Sequence, residues 1–313
     1  MSLTVRFLGT SAARPTVERG VSSIAVIREG ETMLFDCGEG TQRQMMRYGI
    51  SFNLGDIFFT HFHGDHFFGV TGLLRTLALQ GRTEPLRLWG PRGAQRMLKR
   101  ALELGMDRIP FLVQISELAP DEPVLRTQYA IVPYAAAHGS GALGFALVEE
   151  ERRGRFNPDR ARELGIPEGP LWGRIHRGEP VTLDDGRVIE PTELVGSPRP
   201  GRTIVLTGDT RPCDETVRVA SGADLLVHEA TFGDEEAERA VETGHSTARE
   251  AADIARRANA ARLVLTHFSA RYSRDASELL REAREVFPET TIARDGMEIE
   301  IGFEETEEPV AAT

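Results

Sequence analysis

The sequence predicts a layered α/β fold arranged as a two-part sandwich, with one polar site between the halves. Three observations predict it. Short apolar runs recur, and several stop at a residue able to bind metal or move a proton. Helical patterns lie between those runs, which is the alternation of a layered α/β architecture. Two runs, "FFTHF" at Phe58–Phe62 and "VLTHF" at Val264–Phe268, read as counterparts in the two halves.

In chain order the runs are "TMLFD" ending at Asp36, "DIFFTH" ending at His61, "TIVLTGD" reaching Asp209, "DLLVHE" reaching His228 and Glu229, and "RLVLTH" ending at His267. They are only a few residues long and rich in Val, Ile, Leu and Phe, so buried strands account for them better than helices. Functional groups in α/β sheets gather beyond the carboxyl ends of strands. Polar residues repeated at that end of several strands therefore imply one shared site. Helices are predicted over Thr41–Tyr48, Gly69–Gln80, Pro91–Gly105, Thr247–Asn259 and Ala276–Phe287. In the fourth, Ala251, Ile254, Ala255 and Ala258 recur at helical spacing, and Ser246 or Thr247 is placed to cap the start.

The segment from about 150 to 200 breaks this rhythm. It is rich in Gly, Pro and Arg with little core-forming periodicity. Residues 151–200 carry nine arginines and nine acidic residues, so the whole net charge of -11 lies elsewhere in the chain. A long, neutral, turn-rich insertion reads as a protruding flexible arm or a lid. The expected organisation is one domain over residues 1–313 with this arm inserted at 150–200.

With 40% hydrophobic and 27% charged residues the chain has globular composition and not that of a disordered one. The negative balance argues against a uniformly basic nucleic-acid binder, although it leaves room for a local basic patch. Lys99 is the single lysine, so nearly all positive charge is arginine, which suits bidentate phosphate contacts. Two cysteines, Cys37 and Cys213, are too few for a disulfide framework, and a reducing cytoplasm is expected. "MSLTVRFLGTSAA" lacks a basic region followed by a sustained apolar stretch, and no run approaches the ~18 apolar residues of a membrane helix. Neither export by such a signal nor membrane insertion is expected.

The densest chemistry is "FFTHFHGDHFFG", Phe58–Gly69, where His61, His63, Asp65 and His66 fall within six residues. His61 and His63 alternate across an extended turn and offer two imidazoles on one side, while Asp65 and His66 follow in another orientation. Such a cluster can supply ligands to two adjacent cations. Imidazole with carboxylate suits Zn²⁺ better than Mg²⁺, which favours oxygen. Of the other histidines, His138 and His267 also follow strand-like runs, His245 lies in "TGHST" before a helix, and His176 sits in the arm.

"HFHGDH" matches the His-x-His-x-Asp-His signature of the metallo-β-lactamase fold. From end to end the chain resembles the ribonuclease Z family of tRNA 3′-processing endonucleases, through "FLGTSAARPT", "DCGEGTQRQ", "THFHGDHFFGVTGLL", "GPLWGRIHRG", "TGDTRP", "HEATF", "GHSTA" and "LTHFSARY", in that order. The resemblance implies a metallo-β-lactamase-like αββα sandwich of two mixed sheets. It implies two Zn²⁺ per chain, with Mn²⁺ or Fe²⁺ as possible substitutes, one held by His61, His63 and His138 and the other by Asp65, His66 and His267, with Asp209 bridging. It assigns Asp65 as proton acceptor for the attacking water. Glu229 and His245 are placed by it beside the scissile phosphate, where Glu229 raises the basicity of His245 and His245 protonates the departing 3′-oxygen. His228, in the same "HEAT" block, belongs to that region or is a buried structural histidine. Asp36 reads as a carboxylate that orients the metal loop.

The resemblance further implies precursor tRNA as partner, not DNA or a membrane, and a homodimer. Arg174 and Arg177 in the arm, and Arg19 in "PTVERG", are the expected RNA contacts, and Ser269, Arg271 and Tyr272 serve either as phosphate contacts or as hydrogen-bonding residues of their loop. Gly20 stands where the family often has asparagine, which bears on contacts to the acceptor end. The implied activity is a zinc-dependent endoribonuclease that leaves a 3′-hydroxyl on the tRNA and a 5′-phosphate on the trailer. The competing readings are a general binuclear-metal phosphodiesterase of the same fold and a non-catalytic RNA-binding module.

Overall fold

The computed structural model describes residues 2–105 and 108–303; the last ten residues of the expected 1–313 domain lie outside it. The described residues divide into two compact units, 2–148 with 203–302, and 149–202 with Phe303.

In the larger unit, two seven-stranded sheets are found among the described residues. The first runs Glu298–Glu300, Leu3–Gly9, Ser23–Arg28, Glu31–Phe35, Leu54–Phe58, Leu86–Gly90 and Val113–Glu117. Its pairing is antiparallel as far as Glu31–Phe35 and parallel beyond. The second runs Thr290–Ile292, Leu263–Thr266, Leu225–Glu229, Thr203–Leu206, Leu143–Glu149, Tyr129–Ala135 and Val124–Arg126, with its first four strands parallel. Both sheets are mixed, as expected.

The five runs read as strands are strands; four stop one to three residues short of their polar end, and Leu225–Glu229 includes His228 and Glu229. Leu54–Phe58 and Leu263–Thr266, which precede "THF" in each half, lie in different sheets, and this makes the repeat a pair of counterparts across the sandwich. The antiparallel strands Leu3–Gly9 and Ser23–Arg28 end in no histidine or carboxylate.

Period-two alternation sends each strand's residues to two faces. Phe7, Phe35 and Phe58 of one sheet meet Phe145, Leu206 and Val227 of the other in the core between the sheets. The rings of Phe35 and Phe58 stack at 5.1 Å and Phe145 leans on Phe58 at 5.5 Å. On the outer face of the first sheet, helices Thr41–Tyr48, Gly69–Leu79 and Ala94–Glu103 bury Met45, Leu73, Leu77 and Leu98. Helices Ala248–Arg257 and Ser277–Arg284 cover the second sheet with Ala251, Ile254, Ala255 and Leu279. The layer order is helix, sheet, sheet, helix. Thr247 caps Ala248–Arg257 by accepting from Glu250 N, completing a capping box with the Glu250 side chain.

The smaller unit has an interior that the periodicity of its sequence does not show. Residues 149–202 hold a core of their own: Ala161, Ile166, Ile175, Val181, Ile189 and Leu194 are buried together, and Phe156 packs on Trp172 at 5.3 Å. Short helices Pro158–Glu163 and Pro170–His176 supply Ala161, Ile175 and Trp172, the hairpin Val181–Thr182/Val188–Ile189 supplies Val181 and Ile189, and Phe156, Ile166 and Leu194 come from the connecting loops. His176 Nε2 bonds Gly154 O at 3.2 Å, so this histidine is a structural residue of the arm.

Candidate metal centre and active site

The polar residues converge at the carboxyl ends of the parallel strands of both sheets. Leu54–Phe58 runs into the turn carrying His61, His63 and Asp65, and a short helix Gly64–Phe67 presents His66. Asp209 follows Thr203–Leu206, Glu229 ends Leu225–Glu229, and His267 follows Leu263–Thr266. Asp36 and His267 have left-handed backbone, at φ 59° each. Non-glycine residues pay for that conformation, and it persists where surrounding contacts over-determine it, most often at functional sites. Gly208 (φ +60°) lets the Asp209 turn approach the metal loop, since a Cβ there would stand 2.7 Å from Thr60 Cγ2.

Donor atoms of His61, His63, His138 and Asp209 lie within 4.8 Å of one another, and so do those of Asp65, His66 and His267. Asp209 divides its carboxylate between the two groups. Its Oδ2 faces His61 Nε2 at 3.6 Å and His138 Nε2 at 3.9 Å, while Oδ1 faces His66 Nε2 at 3.3 Å and His267 Nε2 at 3.2 Å. Asp65 Oδ2 closes the second group at 3.4 Å from His267 Nε2 and 3.6 Å from His66 Nε2.

Outer hydrogen bonds orient four of the rings the same way. His138 Nδ1 donates to Gly244 O (2.8 Å), an acceptor only, and His66 Nδ1 donates to Asp36 Oδ2 (2.7 Å). His61 Nδ1 donates to Thr60 Oγ1 (3.0 Å), which donates to Asp36, and His267 Nδ1 donates to Thr231 Oγ1 (2.9 Å), which donates to Glu229 Oε2. With Nδ1 protonated on each, the Nε2 lone pairs all point inward. Burial, reinforced by the neighbouring histidines, pushes His61 down to about 2, so it stays neutral as a ligand must. Burial likewise lowers His63.

The inner atoms are left without partners. His61 Nε2, His66 Nε2 and Asp209 Oδ1 are buried and lack any hydrogen bond. Buried polar atoms without partners are costly, and an ordered cation is one of the few things that satisfies several at once. Imidazole nitrogens with carboxylate oxygens fit a divalent transition metal.

His245 sits beside this centre, its Nδ1 donating to Glu229 Oε1 at 2.8 Å. Glu229 is itself held by Thr210 N and Thr231 N at 3.0 and 3.1 Å. Burial works against charge on His245, but the Glu229 hydrogen bond and charge outweigh it and raise its pKa to about 9. A cleft of about 900 Å³ opens over the centre, lined by His63, Asp65, Asp209, His245 and His267 together with Arg14, Phe68, Arg239, Ser269 and Arg271.

His228 takes the second of its two readings, and Arg19 departs from its expected role. His228 alternates with Glu229 along the strand and shares the face of Leu226, against the outer helices. It is fully buried, with Nδ1 donating to Glu229 O at 2.7 Å, and is structural. Arg19 is 6% exposed, its Nε donating to Ser273 O and its Nη1 to Thr10 Oγ1 and Ala293 O, over the face of Phe268. It ties loops together and is not an RNA contact. Gly20 N donates to Asp295 Oδ2 at 2.6 Å, so this position too belongs to the interior tie. Tyr272 is buried against Glu236, whereas Ser269 and Arg271 line the cleft. In the arm, Arg174 and Arg177 are about half-exposed and share Glu179 at 3.1 Å each.

Reading the sequence missed Thr60, Thr231 and Arg211. Arg211 Nη1 donates to His245 O (2.6 Å) and to Glu250 Oε2, and Nη2 to Glu250 Oε1, while its backbone N donates to Ala137 O next to His138. One arginine thus ties the His245 loop to the strands carrying Asp209 and His138. The signal was present in "TGDTRP", but arginine beside a turn has many uses. Arg211→Ala is expected to lower kcat on RNA by about 10- to 100-fold, as losing an outer partner of a functional side chain does. Metal content should be unchanged, Arg211→Lys should recover part of the rate, and loss of metal in Arg211→Ala would refute the assignment.

Comparison with known proteins places this geometry. Residues 3–119 match the family model of the anti-Pycsar protein Apyc1, and residues 175–268 match the beta-lactamase superfamily domain. Ribonuclease Z of Gemmatimonas aurantiaca is 67% identical over 307 residues, covering 97% of this chain and 98% of that one. The chain belongs to the ribonuclease Z family. Ribonuclease Z of Myxococcus xanthus is 54% identical over 300 residues, covering 96% and 98%. Among solved structures, human tRNase Z, short form, superposes with a TM-score of 0.70 at 32% identity, covering 96% of this chain and all of that one. The metallo-beta-lactamase fold protein YhfI of Bacillus subtilis, at 20% identity and TM-score 0.69 over 96% of this chain and 99% of that one, shares the fold with the ribonuclease Z family. None of the helices among the described residues is long and apolar enough to cross a membrane.

Proposed function

We propose that this chain is a zinc-dependent endoribonuclease that removes the 3′ trailer from precursor tRNA, leaving a 3′-hydroxyl on the tRNA and a 5′-phosphate on the trailer. The observation that carries the reading is the divided carboxylate of Asp209, one oxygen toward each group of donors. Family membership supports the substrate.

Two cations fit the donor set. His61, His63 and His138 would hold one, and Asp65, His66 and His267 the other, with Asp209 shared. Bound there, the metals supply Lewis acidity that lowers the pKa of the attacking water and offsets charge gathering at phosphorus. The chain's own residues do the rest. Asp65, whose Oδ2 accepts from Ala13 N at 2.7 Å, is fixed at the mouth of the cleft and takes the proton of the water. His245, charged through Glu229, turns its other nitrogen to the cleft and gives a proton to the departing 3′-oxygen. Without that proton the leaving group would depart as an alkoxide.

The arm is assigned as a tRNA-binding exosite. Its separate small core and its exposed Arg174 and Arg177 support this, because the pairs with Glu179 are surface ion pairs, weak enough to exchange for phosphate. The enzyme works in the cytoplasm as a homodimer on this reading.

The test compares precursor tRNA with bis(p-nitrophenyl) phosphate, using intact enzyme and enzyme with residues 150–200 replaced by a short Gly/Ser link. Trimming should cut kcat/KM for precursor tRNA severely while sparing the small diester and the metal content. Hydrolysis of the small diester with no cleavage of any precursor tRNA by intact enzyme would favour a general phosphodiesterase. Unchanged tRNA cleavage after trimming would remove the exosite.

A further inference from the structure

The short helix that presents His66 ends in two adjacent phenylalanines with opposite fates. Phe67 is buried, its ring 5.5 Å from Phe62, whereas Phe68 is 63% exposed. Single exposed apolar residues are ordinary on a protein surface. Among the described residues, Phe68 differs from the other exposed large apolar side chains in its place, because it lines the cleft beside His63 and Asp65 and they do not. Its ring is also held. It lies over Gly64, where a Cβ would come within 2.5 Å of the ring, and it packs on Phe67 at 4.9 Å. A flat apolar surface is therefore braced from beneath and open toward the cleft.

The rest of the cleft rim is cationic, although the chain carries a net charge of -11. Arg14, Arg239 and Arg271 are exposed and line the same cleft, Arg271 also pairing with Glu236, and Glu39 is the exposed acidic residue among the described lining. An aromatic platform among arginines is how proteins grip single-stranded nucleic acid without reading its sequence: bases stack on the ring and phosphates meet the cations. An aliphatic ligand would have no use for the cations, and an inorganic anion none for the ring.

We propose that Phe68 is a stacking platform for an unpaired nucleobase flanking the scissile phosphate, with the arginine rim taking the adjoining phosphates. The inference rests on the ribonuclease reading above and adds to it how the strand is seated. Because every base has a π-face, the contact positions RNA over the donors while tolerating different trailer sequences.

The test uses the full chain, loaded with Zn²⁺, as wild type, Phe68→Ala and Phe68→Trp. Each is assayed on one precursor tRNA and on two copies of it bearing a single abasic site immediately 5′ or immediately 3′ of the cut. Phe68→Ala should lose roughly 5- to 150-fold in kcat/KM on the intact RNA, the range expected for one stacked base. Phe68→Trp should keep the wild-type value. One of the two abasic substrates should cost wild type the same factor and show no further loss with Phe68→Ala. Equal cleavage of intact RNA by wild type and Phe68→Ala overturns the inference, as does a Phe68→Ala loss that persists undiminished on both abasic substrates. If that persistent loss comes with a smaller mass in solution, the ring is covered by a second copy of the chain and not by a base. Failure of wild type to cut any precursor tRNA overturns the ribonuclease reading, and this inference with it.

Discussion

Asp209→Ala should strip metal from both halves of the centre together and lower precursor-tRNA cleavage by at least about 10³-fold. Losing an outer partner of a metal ligand typically costs 10–100-fold, and a carboxylate shared by both groups must cost more. The geometry gives the reason. Asp209 is buried, and each of its oxygens faces two imidazole nitrogens of a different group, at 3.2 to 3.9 Å. Burial opposes its charge, yet His267 and His66 hold its carboxyl well below the usual range, so it is ionised and ready to bind cations at neutral pH. His63→Ala, by contrast, removes a ligand from one group only and should leave the Asp65, His66 and His267 half filled. Metal analysis by mass spectrometry of purified variants separates the cases. Retention of two metals by Asp209→Ala would argue against its shared position.

His245→Ala is expected to keep its metals and lose about 10²- to 10⁴-fold in rate, the usual worth of a general acid. The loss should shrink with p-nitrophenolate as leaving group, since that anion departs without a proton. The pH dependence follows from Glu229. A raised folded-state pKa means the proton is held at neutral pH and lost only as pH rises through about 9, so the rate should fall on the alkaline side. Glu229→Gln removes the largest raising contribution and should move that alkaline limb to lower pH. Equal losses on RNA and on the activated diester would make His245 a positioning residue and not the acid.

The donors were legible because chemistry and periodicity coincide. His61, His63, Asp65 and His66 crowd into one turn, and Asp209 and His267 each follow a short apolar run. Their convergence follows from the parallel strands, whose carboxyl ends share one edge of each sheet. What was not legible lies one bond further out. Thr60 and Thr231 relay between a histidine and a carboxylate, and no pattern separates them from the other threonines of a strand end. Arg19 misled for a related reason: a guanidinium in a polar loop looks like a phosphate contact until its acceptors, carbonyls of residues 273 and 293, arrive from the other end of the chain. The arm's core was hidden because its apolar residues are scattered over helices of six and seven residues, a hairpin of two-residue strands and the loops between them, pieces too short to show a period.

The most direct measurement maps both ends of the cut. Purified enzyme with Zn²⁺ is incubated with precursor tRNAs carrying 3′ trailers, with and without an encoded CCA, and the products are sequenced and their termini tested with phosphatase and kinase. A single cut just past the discriminator nucleotide, with a 3′-hydroxyl on the tRNA and a 5′-phosphate on the trailer, is the predicted result. A 3′-phosphate or cyclic phosphate on the tRNA, or cuts scattered through the body of the molecule, would contradict it.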